Sequence, residues 1–148
     1  MTEEKLKVRD LMTTHIVTIG MDDTLRAARS IFNQHKFHHL MVVENGKLAG
    51  VLSDRDLLKN LSPFLGSPFS QRPQDSATLN KKVHQMMSRK LVSIGPDDEI
   101  SLAAQRMMYE HVSCLPVIDN NDKPIGIITI HDLLGWFVER HLVNTDPA

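Results

Sequence analysis

The sequence predicts an α+β fold in which two tandem β-α-β-β-α units pack about a pseudo-twofold axis. The chain has 148 residues, 41% of them hydrophobic, which allows one ordinary domain or two half-size units that share a core. Residues 8–58 recur at 83–134 with one inserted residue near Asn121, and 16 of the 51 aligned positions are identical. Two copies are too few for a solenoid. We therefore expect each copy to cover the apolar face of the other.

Each copy opens with a β-rich run, a turn and a helix. The runs "HIVTI" and "KLVSI" favour short strands, and "GMDDT" and "GPDDE" after them are typical of turns with Asp at a helix N-cap. Apolar residues then recur at helical spacing, which predicts helices over about Leu25–His35 and Ile100–Glu110. We interpret the Met and Phe side chains of these helices as core.

A hairpin and a second helix complete each copy. Asn45-Gly46 lies between two apolar runs and is a strong signal for a tight turn, and the second copy has the same pattern around a longer turn. The closing helices are expected from about Asp54 and from about His131. The last helix continues into a tail that could cover the core or contact another subunit through its apolar residues, which are Trp136, Phe137 and Leu142.

The segment between the copies has the composition of a connection. Ser62–Ser76 contains three prolines and a glycine, which predicts an irregular linker or excursion. The predicted organisation is a first repeat at 7–61, a linker at 62–79 and a second repeat at 80–142.

Composition and charge narrow the class of protein. Charged residues make up 24% of the chain and the formal net charge is -1, so no broad attraction to nucleic acid or anionic lipid is expected. Cys114 is the single cysteine, which precludes a disulfide within the chain and favours a reducing compartment. The first residues lack the apolar run of a signal peptide, and no stretch approaches the roughly 18 continuous apolar residues of a membrane span. We expect a cytoplasmic location without membrane association.

One stretch in each copy has the residues needed to bind a phosphorylated sugar. "GVLSDRDLL" is Gly50–Leu58, and "GIITIHDLL" is Gly126–Leu134. Gly50 indicates that something approaches the backbone closely. Ser53 ends the strand where a helix begins, and the unpaired amides of a helix N-terminus attract phosphate. A carboxylate three residues on, at Asp56, could accept two hydrogen bonds from a ribose diol.

Helix capping explains the same residues without a ligand. Ser53 would then be a helix cap, and Asp56 would complement the helix dipole. The second copy retains the polar pair as Thr129 and Asp132. This recurrence favours a binding role, because duplication alone preserves cores.

The chain resembles the CBS-domain pair, also called a Bateman module, over roughly Lys7–Leu142. The resemblance rests on "DLMTTHIVTI", "DDTL", "HHLMVV" and "GKLAGVLSDRDLL" in the first copy, and on "VHQMMSRKLVSI", "DDEI", "VSCLPVID" and "PIGIITIHDLL" in the second. It implies two β-α-β-β-α units with two clefts related by a pseudo-twofold axis. It also implies an adenosine ligand, such as AMP, ADP, ATP or S-adenosylmethionine, and frequent disk-shaped dimers.

The resemblance further implies which residues line each cleft. One cleft would use Ser53 and Asp56 for phosphate and ribose, with the base held by residues of the other copy, namely Met87, Val92, Val112, Ser113 and Cys114. The second cleft would use Thr129 and Asp132, together with Met12, Val17, Phe37 and His38. The chain departs from the family pattern at Met41, where the family often has proline, whereas the second copy keeps Pro116. This departure affects the expected shape of the first copy's base pocket.

The two predicted sites differ in charge. Arg55 in the first motif is replaced by His131 in the second. An arginine is always charged and can reach phosphates, whereas a histidine is mostly neutral near pH 7. We therefore expect the Ser53/Asp56 site to bind the more anionic nucleotide more tightly.

These observations together predict a non-catalytic regulatory module whose regulatory ligand is an adenosine nucleotide, with no required cofactor. We expect a homodimer that acts on a separate, unidentified protein. An enzyme is disfavoured because Ser53 has no paired base. A metal site at His35, His38 and His39 is disfavoured because the helix is expected to end among them. A ligand-free dimerisation or interaction scaffold is the alternative.

Overall fold

The computed structural model describes residues 5–68 and 71–141. Its elements confirm the α+β fold class. Apart from a 3-10 turn at Thr78–Asn80, they are α1 (Val8–Leu11), β1 (Thr18–Gly20), α2 (Leu25–Gln34), β2 (His39–Glu44), β3 (Lys47–Ser53), α3 (Asp54–Asn60), α4 (Pro73–Ala77), α5 (Val83–Met86), α6 (Ile100–Glu110), β4 (Cys114–Ile118), β5 (Pro124–Thr129) and α7 (Ile130–His141). No helix among the described residues is both long and apolar enough to cross a membrane.

The described residues form two compact units that do not coincide with the two sequence copies. Unit A is residues 17–91, and unit B combines residues 5–16 with residues 92–141. Each unit therefore contains one short helix that belongs to the other copy, α5 in unit A and α1 in unit B. The repeat boundaries predicted from the sequence stay a prediction, and Leu142 lies outside the described residues.

The two short helices dock within their units in the same way. In each unit the first two amides of the short helix donate to carbonyls of the turn that precedes the long helix. These four bonds, 2.8–3.0 Å long, run from Val83 to Asp23, from His84 to Met21, from Val8 to Asp98 and from Arg9 to Pro96. The repeated turn is thus a docking point for a helix that comes from the other copy.

The acids of these turns do not cap the following helices, which corrects the predicted N-caps. The second acid of each pair instead accepts a hydrogen bond from the amide of the glycine that starts the turn, Gly20 to Asp23 at 2.7 Å and Gly95 to Asp98 at 2.8 Å. The N-cap residues are Thr24 and Glu99. Closing the turn gives each carboxylate a hydrogen-bond donor one residue before the N-cap of the helix.

Unit A contains a three-stranded sheet of order β1-β2-β3. β1 is parallel to β2, and β2 is antiparallel to β3. The predicted tight turn is confirmed, because Asn45 and Gly46 both have positive φ, 52° and 78°, as a two-residue hairpin turn requires. Leu25 of α2 is fully buried in the core that the sheet faces, along with Leu40 and Leu52.

Unit B contains only the two-stranded hairpin β4–β5, so the strand predicted for "KLVSI" is wrong. A single parallel bridge joins Ile94 to Val117. The Ile94 amide donates to the Pro116 carbonyl, and the Ile118 amide donates to the Ile94 carbonyl, both at 3.0 Å. A longer ladder needs amide donors at positions 96 and 116, and both residues are prolines, which have none.

The linker contains more order than its composition predicts. α4 and the 3-10 turn after it lie between the copies, which corrects the expectation of an irregular Ser62–Ser76 segment. Asp75 is only 3% exposed and accepts hydrogen bonds from the Ser62 hydroxyl and the Arg72 amide, both at 2.7 Å. The bond from Ser62 is the main reason that the pKa of Asp75 is lowered. A single buried acid thus organises the connection.

Candidate functional site

Each copy has a crossing point where a chain segment runs against the glycine of the repeated motif. In unit A the amides and carbonyls of Val51 and Ser88 exchange hydrogen bonds of 2.8 and 3.1 Å. A Cβ atom on Gly50 would lie 2.6 Å from the Ser88 carbonyl oxygen and 2.9 Å from Sδ of Met87. The close approach expected at Gly50 is therefore confirmed, and the approaching group is the protein's own backbone.

Unit B has the equivalent crossing. Thr13 and Ile127 exchange backbone hydrogen bonds of 2.9 and 3.0 Å. A Cβ atom on Gly126 would lie 2.8 Å from Sδ of Met12 and 2.9 Å from the Thr13 carbonyl oxygen. The two crossings bring Met87 into the unit that holds Ser53 and Asp56, and Met12 into the unit that holds Thr129 and Asp132.

The junction between β3 and α3 is closed by a capping box. The Asp56 amide donates to Oγ of Ser53 at 3.0 Å, and the Ser53 amide donates to Oδ2 of Asp56 at 3.2 Å. No hydrogen bond within residues 5–68 and 71–141 reaches Oδ1 of Asp56. The structure thus shows the capping role, and it leaves one carboxylate oxygen and the Ser53 hydroxyl proton available for a ligand.

The junction between β5 and α7 repeats this box with one difference. The Asp132 amide donates to Oγ1 of Thr129 at 3.2 Å, and the Thr129 amide donates to Oδ2 of Asp132 at 2.9 Å. The Thr129 hydroxyl also lies 3.1 Å from the same Oδ2, so its proton is directed at its own carboxylate. The hydroxyl of the second junction is therefore the less available donor.

In each unit, short contacts place the residue before the hairpin beside the strand–helix junction that follows the hairpin. In unit A the Asp54 amide donates to the His38 carbonyl at 3.0 Å, and Nδ1 of His38 lies 2.9 Å from Oδ2 of Asp54. In unit B the Ile130 amide donates to the Ser113 carbonyl at 2.9 Å. His38 and Ser113 occupy equivalent positions of the two copies, and only the first can carry a positive charge.

The first residue of each hairpin is an ionisable group whose neutral form is favoured by burial. His39 pairs with Ser53, and burial lowers the pKa of its imidazole despite the opposing effect of the Asp54 carboxylate. Cys114 pairs with Thr129, and burial raises the pKa of its thiol to about 11. His39 was considered only as a metal ligand in the sequence analysis and was not included among the nucleotide-site residues, although the 75-residue repeat offset aligns it with Cys114.

The remaining predicted site residues are distributed over both units. Val17 and Phe37 pack on the core of unit A, where Phe37 also stacks on His35 with ring centroids 5.0 Å apart. Val92 and Val112 pack on the core of unit B. Arg55 and His131 are both exposed in the first turn of the helix that follows their junction. The assignment of base-contacting residues to the opposite copy combines residues of different units, and it stays a prediction.

The three clustered histidines do not form a recognisable metal site. In the part of the chain that the structure describes, no group of three or more His, Cys, Asp or Glu side chains is arranged to hold a metal ion. His38 is directed at Asp54 and His35 at Phe37.

Comparison with known proteins identifies the family. The sequence model of the CBS domain matches residues 8–63 and 83–139. A CBS domain-containing protein of Dictyostelium discoideum is 35% identical over 137 residues, which cover 91% of this chain and 93% of the relative.

Two solved structures share the fold. The CBS domain of a CBS domain-containing membrane protein from Sphaerobacter thermophilus has a TM-score of 0.77 at 27% identity and covers 88% of this chain and 87% of its own. The cytosolic domain of the Mg²⁺ channel MgtE, solved in complex with ATP, has a TM-score of 0.70 at 25% identity and covers 90% of this chain and 49% of its own. With both copies matched by the family model and nearly the whole chain aligned to a relative, this protein belongs to the CBS-domain family.

Proposed function

We propose that this protein is a non-catalytic regulatory module that binds an adenosine nucleotide, such as AMP, ADP, ATP or S-adenosylmethionine, at its two strand–helix junctions. The observation that carries the proposal is the duplicated capping box. Both Asp56 and Asp132 keep one carboxylate oxygen outside the box while the other oxygen fixes the rotamer. A carboxylate held in this way is ready to accept hydrogen bonds from paired hydroxyls without further ordering.

The chemistry of the first junction suits a phosphorylated nucleoside. The α3 N-terminus contributes a partial positive charge, and the Arg55 guanidinium partly offsets the carboxylates of Asp54 and Asp56 in the same first turn. Ser53 has a hydroxyl proton to donate, and Asp56 would accept from the ribose diol. The ATP complex of the MgtE cytosolic domain supports an adenine nucleotide as the ligand class.

The two junctions are proposed to differ in their preference. The first has Arg55 and a free Ser53 hydroxyl, whereas the second has His131 and a Thr129 hydroxyl directed at Asp132. Both differences reduce the attraction for phosphate at the second junction. The first junction should therefore bind the more anionic nucleotide.

Binding would regulate another protein by shifting the population of two conformations of the module. A ligand can do this only if its affinity differs between the two states. We propose that the module works as a cytoplasmic homodimer on a separate target protein. Exposed apolar side chains on α6 and α7, among them Tyr109 and Phe137, supply a surface for association.

Isothermal titration calorimetry with AMP, ATP and S-adenosylmethionine tests the proposal. We expect Asp56→Ala to reduce ATP affinity by at least about tenfold, and Asp132→Ala to affect ATP less. Asp10→Ala is the matched control, because Asp10 also accepts from the amide of the residue three positions before it, Lys7, at 2.9 Å, but lies outside both junctions. Equal losses of ATP affinity in the two junction variants would contradict the proposed preference.

The ligand-free scaffold is the second candidate, because the capping boxes alone explain why both acids are present. A thermal-shift screen separates the two functions. An adenine nucleotide present at 100 times its Kd adds about 2.7 kcal/mol to the free energy of unfolding. A melting temperature that no nucleotide changes would favour the scaffold.

A further inference from the structure

A histidine–carboxylate pair lies beside the first junction, within unit A. His39 is opposite Ser53 in the β2–β3 ladder, so His38 and Asp54 are the next two residues to face each other. The Asp54 amide donates to the His38 carbonyl at 3.0 Å, and Nδ1 of the imidazole lies 2.9 Å from Oδ2 of Asp54. Backbone and side chain together therefore hold this ring next to the residues proposed to bind the nucleotide.

The contact with Asp54 gives the two ring nitrogens of His38 different roles. An ionised carboxylate can only accept, so the pair places a proton on Nδ1. Within residues 5–68 and 71–141 the ring makes no other hydrogen bond, and its side chain is 78% exposed, so Nε2 is available to a ligand. Nε2 presents a lone pair to a phosphate oxygen when the ring is neutral and an N–H donor when the ring is charged. Only the charged ring can bridge Asp54 and a phosphate.

The charges around this pair make the proton important for phosphate binding. The first turn of α3 contains Asp54, Arg55 and Asp56, so its formal net charge is -1. A phosphate that arrives here meets an acidic turn, and a proton on His38 cancels the excess of negative charge. The other ionisable groups near the ring are His39 and the side chains that line a surface groove together with His38, which are Arg29, His35 and Lys36.

Neither the neighbouring histidine nor the second repeat supplies an equivalent group. Burial lowers the pKa of His39, which favours the neutral imidazole there, so the exposed His38 is the group able to take up a proton. The residues of the second repeat that correspond to His38 and Asp54 are Ser113 and Ile130, and neither ionises near neutral pH. The pair is therefore a property of the first junction and not of the repeated fold.

We propose that His38 determines the specificity of the first junction, which binds a nucleotide phosphate together with a proton. The proton comes from the solvent and adds to Nε2 as the phosphate binds. Nε2–H then donates to a phosphate oxygen, while Nδ1–H continues to donate to Asp54. The junction consequently binds phosphorylated nucleosides more tightly as the pH falls toward 6, and it distinguishes them from the unphosphorylated nucleoside. This inference rests on the proposed nucleotide binding and specifies how that binding is regulated.

Calorimetry in buffers of different ionisation enthalpy measures the proton uptake. ATP is titrated at pH 7.0 into Asp132→Ala, in which the second junction is disabled, with and without His38→Gln. Glutamine keeps a donor for Asp54 but takes up no proton, and the difference between the two proteins removes the protonation of ATP itself. We expect the protein that retains His38 to take up roughly half a proton more per ATP. Adenosine, which has no phosphate, should show no difference in proton uptake.

The pH dependence of affinity is a second measurement on the same proteins. We expect the ATP affinity with His38, divided by that with His38→Gln, to rise at least about threefold from pH 8 to pH 6. His38→Ser, which copies the second repeat, should behave like His38→Gln. His84→Gln is the matched control, because Nε2 of His84 also lies beside an acid, 4.0 Å from Oδ1 of Asp22, but outside both junctions. Circular dichroism checks that each variant is folded.

The outcomes separate this inference from the proposed function. ATP binding with equal proton uptake and parallel pH dependence in the two proteins overturns the role of His38 and leaves nucleotide binding intact. A loss of adenosine affinity in His38→Gln as large as the loss of ATP affinity also overturns it, because the residue then does not recognise the phosphate. A wild type that binds no nucleotide overturns both proposals.

Discussion

The two repeats keep the same junction but build different sheets. The first repeat pairs three residues of β1 with β2, whereas the second makes a single bridge at Ile94. The difference comes from two positions, Met21 and Met41 in the first repeat and Pro96 and Pro116 in the second, because the prolines remove the amides that a longer ladder needs. Conserving the strand–helix junction therefore does not require conserving the ladder beside it.

The second repeat holds its opening segment by a side chain instead. Nη1 of Arg106 on α6 donates to the Ser93 carbonyl at 2.6 Å, and the equivalent residue of the first repeat is Ile31. One charged hydrogen bond thus satisfies a carbonyl beside the shortened ladder. The comparison shows how a duplicated unit can lose backbone pairing while its core residues, Ile94 among them, stay buried.

The largest effect is expected where a chain segment crosses the repeated glycine. Gly50→Ala places a Cβ atom 2.6 Å from the Ser88 carbonyl oxygen, and we expect the free energy of unfolding to fall by about 3 kcal/mol. Gly126→Ala should cost less, about 1–3 kcal/mol, because the nearest atom is the flexible Met12 thioether, although the Thr13 carbonyl is also close. Urea denaturation measures both.

The control for these variants is Gly135→Ala on α7. Nothing lies within 4 Å of the added Cβ there, so the variant should be neutral or more stable by up to about 1 kcal/mol. A Gly50→Ala protein as stable as the wild type would mean that the Ser88 segment does not cross at this point.

The second largest effect is a loss of stability at alkaline pH that comes from Cys114. Its thiol has a pKa of about 11 in the folded protein, raised by burial from 9.0, so the folded state binds the proton more tightly than the unfolded state. The stability contribution is constant below pH 9 and is lost as the pH rises from 9 to 11, by about 2.7 kcal/mol at most. We expect the difference in unfolding free energy between wild type and Cys114→Ala to shrink over this window.

Other groups titrate in the same range, so the quantity to measure is the difference in unfolding free energy between the wild type and Cys114→Ala. Urea denaturation at pH 8, 9, 10 and 11 provides it. Parallel stability curves for wild type and Cys114→Ala would show that the thiol is not shielded from water in the folded state.

Local chemistry explains which parts of the fold the sequence could predict. The Asn45-Gly46 hairpin and the span of α6 follow from turn preference and helical spacing, which act within a few residues. The exchange of α1 and α5 between the copies depends on contacts such as Val83 to Asp23, about 60 residues apart, which no local pattern encodes. The order around Asp75 was missed for the same reason, since its partner Ser62 lies 13 residues earlier.

The junction chemistry was predictable in part. The paired Ser/Thr and Asp residues were visible because the repeat showed the same polar pair twice, and capping geometry followed from their spacing. Local sequence did not identify the segment that crosses Gly50, because Met87 and Ser88 are far away in sequence and carry no binding motif; only the family resemblance implied that Met87 lies at the Ser53/Asp56 cleft. The crossing is a tertiary contact, made by the backbone hydrogen bonds between Val51 and Ser88.

The smallest predicted effect is the pH dependence of stability that His39 causes. Its equivalent in the second repeat is Cys114. Burial lowers the pKa of His39, so the unfolded chain binds more protons than the folded protein at pH values just below 6.5. Stability should therefore rise with pH through the window between the folded pKa and 6.5, opposite in sign to the alkaline loss at Cys114 and smaller. His39→Cys, which copies the second repeat, should abolish this acid slope, whereas Cys114→His should add a second one. An NMR titration of the imidazole carbon-bound protons reports the pKa directly, and a value at or above 6.5 would show that the hairpin start is solvated in the first repeat.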